Sequence, residues 1–99
     1  MEFQPGQTIL NGKYRIEREV GRGAFGEVYL ATHLLLNAPL AIKVLRKDAP
    51  GVGSVEFGRF RERFLQEAQL GKRLNHPNVV RVDDFIEDAG VLYLVMEFC

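Results

Sequence analysis

Three closely spaced glycines are the feature of this sequence with the clearest chemical potential. Gly21, Gly23 and Gly26 follow one another at intervals of two and three residues, and Val28 comes shortly after them. Because glycine has no side chain, the backbone N–H groups of such a segment can approach a ligand closely and converge on an anion. Phosphate is the anion that we expect. On its own the spacing is a weak signal, since glycine is a common residue.

The residues on either side of the glycines predict that this segment joins two strands. Residues 14–20 before it and 27–33 after it alternate apolar and polar side chains, which is the period of a strand. A dinucleotide-binding turn of the Rossmann type would instead have to open a helix after the glycines. The alternation after Gly26 therefore argues for a β-hairpin and against a Rossmann unit.

Two charged residues lie where the pattern predicts burial. Lys43 interrupts the apolar run of residues 40–45, which we interpret as a central strand, and Glu67 lies on the apolar side of a helix predicted for residues 58–75. Charged side chains are seldom buried without a partner, so an ion pair between Lys43 and Glu67 would satisfy both. Two alternatives stay open: Lys43 extends along the surface to water, or Glu67 lies at the solvated edge of the apolar stripe.

Hydrophobic periodicity predicts five strands and one helix. Turn pairs in residues 1–13 indicate an N-terminal lead-in, residues 46–57 indicate a flexible connector, and the residue before Pro77 ends the helix. The predicted elements in chain order are strands at 14–20, 27–33 and 40–45, the helix at 58–75, and strands at 80–86 and 91–98.

Two conspicuous groups of residues are first interpreted as structural. Leu34 to Leu36 fall in the turn before the third strand, where Asn37 and Pro39 are expected to interrupt strand structure. We expect one or two of these leucines to fold back onto the sheet; the alternative is an exposed contact patch for a partner. Asp83 and Asp84 are adjacent in a strand and are expected to point to opposite faces, so we interpret them as solvated rather than catalytic.

The composition argues against several classes of function. The 99-residue chain has 13 basic and 13 acidic residues, so no net charge favours nucleic acid or an anionic membrane surface. Cys99 is the only cysteine, which leaves no internal disulfide and no thiol cluster for a metal. The first residues lack the features of a signal peptide, and the longest apolar run, Val91 to Met96, is too short to span a bilayer. We therefore expect a cytoplasmic protein with no nucleic-acid partner and no membrane segment in this piece.

Taken together, the motifs resemble the amino-terminal, ATP-binding lobe of a protein kinase. They are Gly-x-Gly-x-x-Gly-x-Val on a hairpin, Ala41-Ile42-Lys43 on the next strand, Glu67 on the following helix, His76-Pro77-Asn78, and Leu94 to Phe98 at the end. The Tyr14-Arg15-Ile16 sequence and the Arg-Phe-x-x-Glu-Ala sequence around Glu67 are most similar to bacterial-type serine/threonine kinases. The resemblance covers residues 12–99. It implies an α+β fold, a five-stranded antiparallel sheet with one main helix packed on it, with residues 14–99 as an incomplete kinase domain.

The same resemblance implies roles in binding ATP. The adenine would be enclosed by Val20, Val28 and Ala41, and its edge would be bound by the backbone of Glu97 and Cys99, with Met96 at the back of the pocket. The phosphates would be covered by the hairpin, through Gly21, Gly23 and Gly26, with Phe25 at its tip. Lys43 would hold the α and β phosphates and would be oriented by Glu67.

The sequence departs from the family pattern in two respects. It contains no His-Arg-Asp catalytic loop, so we expect the catalytic base, the Mg²⁺ ligands and the large lobe beyond Cys99, and no activity from this piece alone. Gly71 stands where the family usually has a larger apolar residue, and a glycine inside a helix costs up to about 1 kcal/mol. The parent protein is expected to transfer the γ-phosphoryl group of MgATP to Ser or Thr hydroxyls of a protein substrate. The alternative is a non-catalytic, pseudokinase-like binding or regulatory module.

Overall fold

One antiparallel sheet with a helix on one face forms the fold. The computed structural model describes residues 3–22, 26–46, 53–73 and 81–97. The elements in chain order are β1 (Thr8–Ile9), β2 (Tyr14–Arg22), β3 (Gly26–His33), β4 (Ala38–Arg46), α1 (Ser54–Arg73), β5 (Arg81–Asp88) and β6 (Val91–Glu97). The strands are arranged in the order β1-β2-β3-β4-β6-β5, and each neighbouring pair is antiparallel.

The predicted architecture, an antiparallel sheet with one main helix, is confirmed, although the sheet has six strands rather than five. The additional strand is β1, in which Thr8 pairs with Arg15 and Ile9 pairs with Tyr14. A strand of two residues is too short to show alternation in the sequence. It forms because the turn at residues 10–13, in which Leu10, Asn11 and Gly12 have positive φ, folds the chain back so that β1 pairs with β2.

Strand alternation gives the sheet two apolar faces, here named the outer face and the helix face. The outer-face core consists of Ile9, Tyr14, Ile16, Tyr29, Ala31, Leu40, Ile42, Val44, Tyr93 and Val95. The helix-face core consists of Leu45, Leu92 and Leu94, against which Phe57, Phe60, Phe85 and Met96 pack. Burying one such side chain fully is worth about 1.5–3 kcal/mol, so both faces stabilise the sheet.

Helix α1 begins earlier than the sequence predicts. The carbonyl of Gly53 accepts a hydrogen bond from the N–H of Phe57 at 2.9 Å, and the first helical residue is Ser54 rather than residue 58. Arg61 joins the helix to Glu87 of β5 at 3.2 Å, but the side chains are 42% and 47% exposed, so this ion pair adds little stability. Within the described ranges, no helix combines the length and the apolar character needed to cross a bilayer.

The start of β4 corrects the expectation that Pro39 interrupts the strand. β4 begins at Ala38, and Pro39 lies opposite Thr32 of β3. In the described part of the chain, β6 pairs with β4 only from Ala41 onwards. Pro39 therefore lies where β4 has a neighbour on one side, and a residue without an N–H is tolerated at such an edge.

The three leucines of the β3–β4 turn do not fold back onto the sheet as expected. Leu34, Leu35 and Leu36 are 38%, 89% and 70% exposed. The turn is instead closed by polar contacts, since Nδ1 of His33 accepts the N–H of Leu36 at 3.1 Å. The alternative interpretation, an exposed apolar patch, fits the geometry better.

A register shift in β5 corrects the expectation for the two aspartates. The shift lies between Val82 and Asp84, so Asp83 is the extra residue of a bulge. Because the bulge breaks the alternation, Asp83 and Asp84 line the same cavity rather than opposite faces of the sheet. Both residues are exposed, which agrees with the solvated interpretation.

Candidate nucleotide-binding site

The glycine segment connects two neighbouring antiparallel strands, as the alternation predicts. β2 and β3 pair up to Gly21 opposite Val28 and Arg22 opposite Glu27. The residues after Gly26 form a strand and not a helix, which argues against the Rossmann alternative. Gly23 and Phe25, at the centre of the hairpin, lie outside the described residues.

Gly26 is required by close packing of two backbones. A Cβ atom built on Gly26 would lie 1.8 Å from the carbonyl oxygen of Val44 and 2.8 Å from its carbonyl carbon. Among the described residues, a Cβ atom on Gly21 would meet only the side chain of Val28, at 3.8 Å or more. The two glycines therefore differ: Gly26 fixes the hairpin against β4, whereas a Cβ atom at Gly21 would make only ordinary contacts with the described residues.

Four of the predicted adenine and phosphate contacts share one face of the sheet. Val28 lies opposite Lys43, and Ala41 lies opposite Met96. Directly opposed residues of antiparallel strands point to the same face. Lys43 lies two residues before Leu45 of the helix-face core, so these two residues also share a face. Val28, Ala41, Lys43 and Met96 are therefore brought together on the helix face. Lys43 is half-buried there, which fits both the predicted ion pair and the alternative in which its side chain extends to water.

The remaining predicted contacts are only partly covered by the described residues. Val20 is 45% exposed and lies beside Gly21, where β2 shifts register. Glu67 belongs to α1, seven residues after Phe60, which packs on the helix face. The side chains of Glu67 and Glu97 and the whole of Cys99 lie outside the described residues, so the Lys43–Glu67 ion pair stays a prediction.

Comparison with known proteins identifies the family. The family model of the protein kinase domain matches residues 14–99. The chain belongs to the protein kinase family. Within that family the sheet, the glycine hairpin and helix α1 correspond to the small lobe of the kinase domain.

The relatives of this kinase lobe include bacterial serine/threonine kinases, as the motifs predict. It is 40% identical over 94 residues to the serine/threonine-protein kinase pkn2 of Myxococcus xanthus, covering 95% of this chain and 11% of that protein. It is 38% identical over 89 residues to the serine/threonine-protein kinase PrkC of Bacillus subtilis, covering 90% of this chain and 13% of that protein. The chain thus spans about a tenth of the length of these relatives.

A solved structure supports the same fold. The kinase domain of Mycobacterium tuberculosis PknI, in a cysteine-to-alanine mutant form, superposes with a TM-score of 0.69 at 32% sequence identity. The superposition covers 99% of this chain and 37% of that chain. The resemblance inferred from the motifs is therefore confirmed for the kinase small lobe.

Glu27 is a residue of this kinase lobe that sequence reasoning missed. It follows Gly26 directly, points to the outer face and is 5% exposed. Its carboxylate accepts hydrogen bonds from the Arg46 guanidinium at 2.9 Å and from the Tyr29 hydroxyl at 2.6 Å. Burial alone would raise the pKa of Glu27, but these two donors outweigh it and hold the pKa below its usual range. The sequence did contain a signal for its burial: Glu27 lies two residues before Tyr29 in a strand, so the two side chains share a face.

A cavity of about 250 Å³ lies on the outer face of the kinase lobe, away from the helix face. Tyr14, His33, Asp83 and Asp84 are among the residues that line it. Burial, followed by the charges of Asp84 and Asp83, raises the pKa of Tyr14. In the described part of the chain, no group of three or more His, Cys, Asp or Glu side chains is arranged to hold a metal ion. This cavity is distinct from the helix face, where Val28, Ala41, Lys43 and Met96 lie.

Proposed function

We propose that residues 1–99 form the nucleotide-binding lobe of a serine/threonine protein kinase. The parent protein would transfer the γ-phosphoryl group of MgATP to Ser or Thr hydroxyls of a protein substrate. The observation that supports this most strongly is the register of β3, β4 and β6. It brings Val28, Ala41, Lys43 and Met96 together on one face, next to a glycine-lined hairpin.

The chemistry of phosphoryl transfer fits what this face offers. The reaction asks the protein mainly to position ATP and to stabilise charge on its phosphates. We assign the ammonium group of Lys43 to the α and β phosphates, since it is a half-buried cation on the helix face. The part of the helix face around Val28, Ala41, Lys43 and Met96, where we propose that the nucleotide binds, is called the nucleotide face below. Val20, Val28 and Ala41 would hold the adenine, Met96 would close the back of the pocket, and the backbone of Glu97 and Cys99 would bind the adenine edge. Glu67 would orient Lys43.

Two components of the reaction are assigned to other parts of the parent protein. The 99 residues contain no His-Arg-Asp sequence that could supply the catalytic base. Mg²⁺, which neutralises phosphate charge in this reaction, would be bound by residues of the large lobe. We therefore propose that residues 1–99 alone do not transfer a phosphoryl group and bind ATP weakly.

Substitution of Lys43 in the full-length protein tests this function. Lys43→Met keeps an unbranched side chain on the nucleotide face but removes the charge. Loss of one preorganised electrostatic contact to the reacting group costs about a hundredfold or more in rate. We expect transfer of labelled γ-phosphate to fall at least that far, while the melting temperature changes little. Lys13→Met is the matched control, because Lys13 is exposed and lies before β2.

The outcomes separate the kinase from its alternative. If Lys43→Met turns over at the rate of the unchanged protein, Lys43 does not have the assigned role. If the unchanged protein binds ATP but transfers no phosphate, the non-catalytic module is the better description. Calorimetry on residues 1–99 alone provides a second test. Tight MgATP binding by this isolated piece would contradict the proposal that part of the ATP site belongs to the large lobe.

A further inference from the structure

The N-terminal segment before the kinase match packs on the outer face of the sheet. Phe3 donates its backbone N–H to the hydroxyl of Tyr29 at 3.1 Å. Its ring lies 5.5 Å from the ring of Tyr29 and is stacked at 6.2 Å and 15° on the ring of Tyr93. The guanidinium of Arg46 lies 4.7 Å from the centroid of the Phe3 ring. Phe3 therefore contacts both residues that hold the buried carboxylate of Glu27.

Phe3 is held in this position by the residues that follow it. The N–H of Gly6 donates to the carbonyl of Ile16 at 2.7 Å, and the N–H of Ile16 donates to the carbonyl of Gln7 at 2.8 Å. Strand β1 then extends the sheet by two residues. The segment from Phe3 to Ile9 is thus fixed along β2, and the Phe3 ring covers the polar network of Glu27, Tyr29 and Arg46.

The network lies at the base of the glycine hairpin. Glu27 is adjacent to Gly26 in sequence and lies opposite Arg22, the last described residue of β2. On its other side Glu27 lies opposite Val44 of β4. Glu27 therefore belongs to the part of β3 from which the hairpin extends, and its side chain ties that part to Arg46 of β4. The helix face, where the nucleotide is proposed to bind, is only one residue away at Val28.

We propose that Phe3 is a positioning residue for nucleotide binding. By covering Tyr29 and Arg46 on the outer face, it holds Glu27, and with it the base of the glycine hairpin, in the arrangement that the nucleotide face requires. Phe3 lies on the outer face, away from the helix face, and acts through three side chains of β3 and β4: Glu27, Tyr29 and Arg46. This inference rests on the proposed function and adds to it a segment that lies outside the kinase match at residues 14–99.

The test compares three substitutions in the full-length protein. Phe3→Ala removes the ring, Phe3→Tyr keeps it, and Leu35→Ala is a matched control that truncates an apolar residue at a site 89% exposed. An aromatic contact together with a cation–π contact is worth enough to change a binding constant about three- to tenfold. We expect Phe3→Ala to raise the KM for ATP by that factor and to leave the KM for the protein substrate unchanged. Phe3→Tyr and Leu35→Ala should both keep the original KM for ATP.

Hydrogen exchange provides a readout that a merely stabilising residue would not change selectively. In Phe3→Ala, the amides of Glu27 and Val28 should exchange faster while those of helix α1 keep their rates. An unchanged KM for ATP in Phe3→Ala, measured below the melting temperature, would overturn the inference. So would a loss of kcat alone, which would report a smaller folded fraction.

Three further outcomes are distinguishable. If Phe3→Ala does not fold, Phe3→Leu replaces it, because leucine retains apolar cover but offers no ring to Arg46; its KM for ATP should then rise about two- to threefold. If the unchanged protein binds no nucleotide at all, the proposed function fails and takes this inference with it. If that protein binds nucleotide and the Phe3 variants bind equally well, only this inference fails.

Discussion

Replacing Gly26 with alanine should disrupt the base of the hairpin. The added Cβ atom would lie 1.8 Å from the carbonyl oxygen of Val44 and 3.3 Å from the Cα atom of Leu45. Carbon–oxygen contacts are normally about 3.3 Å or longer. The backbone at Gly26 or Val44 would therefore have to shift, which disturbs the ladder hydrogen bonds between β3 and β4.

The free-energy cost follows from these two effects. Overpacking typically costs about 1–3 kcal/mol, and each of two lost ladder hydrogen bonds adds about 1 kcal/mol. We expect Gly26→Ala to lower the free energy of unfolding by about 3–5 kcal/mol. For a domain of this size, 1 kcal/mol corresponds to about 4–8 °C, so the melting temperature should fall by at least about 12 °C.

Thermal unfolding followed by far-ultraviolet circular dichroism measures this change, with Gly21→Ala as the matched control. At Gly21 the new Cβ atom would come no closer than 3.8 Å to Val28, an ordinary contact. Its effect on stability should be about 1 kcal/mol or less. If Gly26→Ala melts within a few degrees of the unchanged protein, the close approach of β3 to Val44 does not exist as described. If both variants melt equally low, the contrast between the two glycines is wrong.

Two further predictions concern the polar network on the outer face. Glu27→Gln leaves Arg46 without its partner charge, and should cost about 2–4 kcal/mol at pH 7 in chemical denaturation. Because the pKa of Glu27 is lowered in the folded state, this advantage of the carboxylate is present above its unfolded pKa, 4.5, and is lost as the pH falls, so the two proteins should converge in acid. Burial, reinforced by Glu27, raises the pKa of Tyr29 to about 12 from 10.0, so its contribution is complete below pH 10 and is lost as the pH rises towards 12. Between pH 10 and 12, the free energy of unfolding of Tyr29→Phe should therefore fall less steeply with pH than that of the unchanged protein. Some slope should remain in both proteins, because the pKa values of Tyr14 and Tyr93 are also raised. Equal slopes in the two proteins would contradict the prediction.

The sequence predicts those elements whose signals are local. Residues 27–33 alternate with period two, so the strand after Gly26 could be assigned from its own side chains, and this excluded a helix there. The apolar run of residues 40–45 likewise placed Lys43 inside a strand, whereas its role towards the phosphates came from the resemblance to kinases and is part of the proposal. Both strand assignments depend on periodicity within one element.

The features that the sequence did not predict depend on contacts between distant residues. Phe3 meets Tyr93, which lies 90 positions along the chain, and no local pattern relates them. The burial of Glu27 depends on Arg46 from another strand. The bulge at Asp83 leaves no recognisable pattern in the sequence of β5. Strict alternation assumes that there is no bulge, so it placed the two aspartates on opposite faces.

The outermost strands of the sheet have a consequence for self-association. A strand with a free row of N–H and C=O groups is a template for pairing with another molecule. At one end of the sheet, β1 offers only two residues. At the other end, β5 carries Asp83, Asp84, Glu87 and Asp88 and is bent by a bulge. Repulsion among these carboxylates, one of which, that of Glu87, pairs with Arg61, would oppose the addition of a second copy of β5, so this end of the sheet is protected against growth into extended intermolecular sheets.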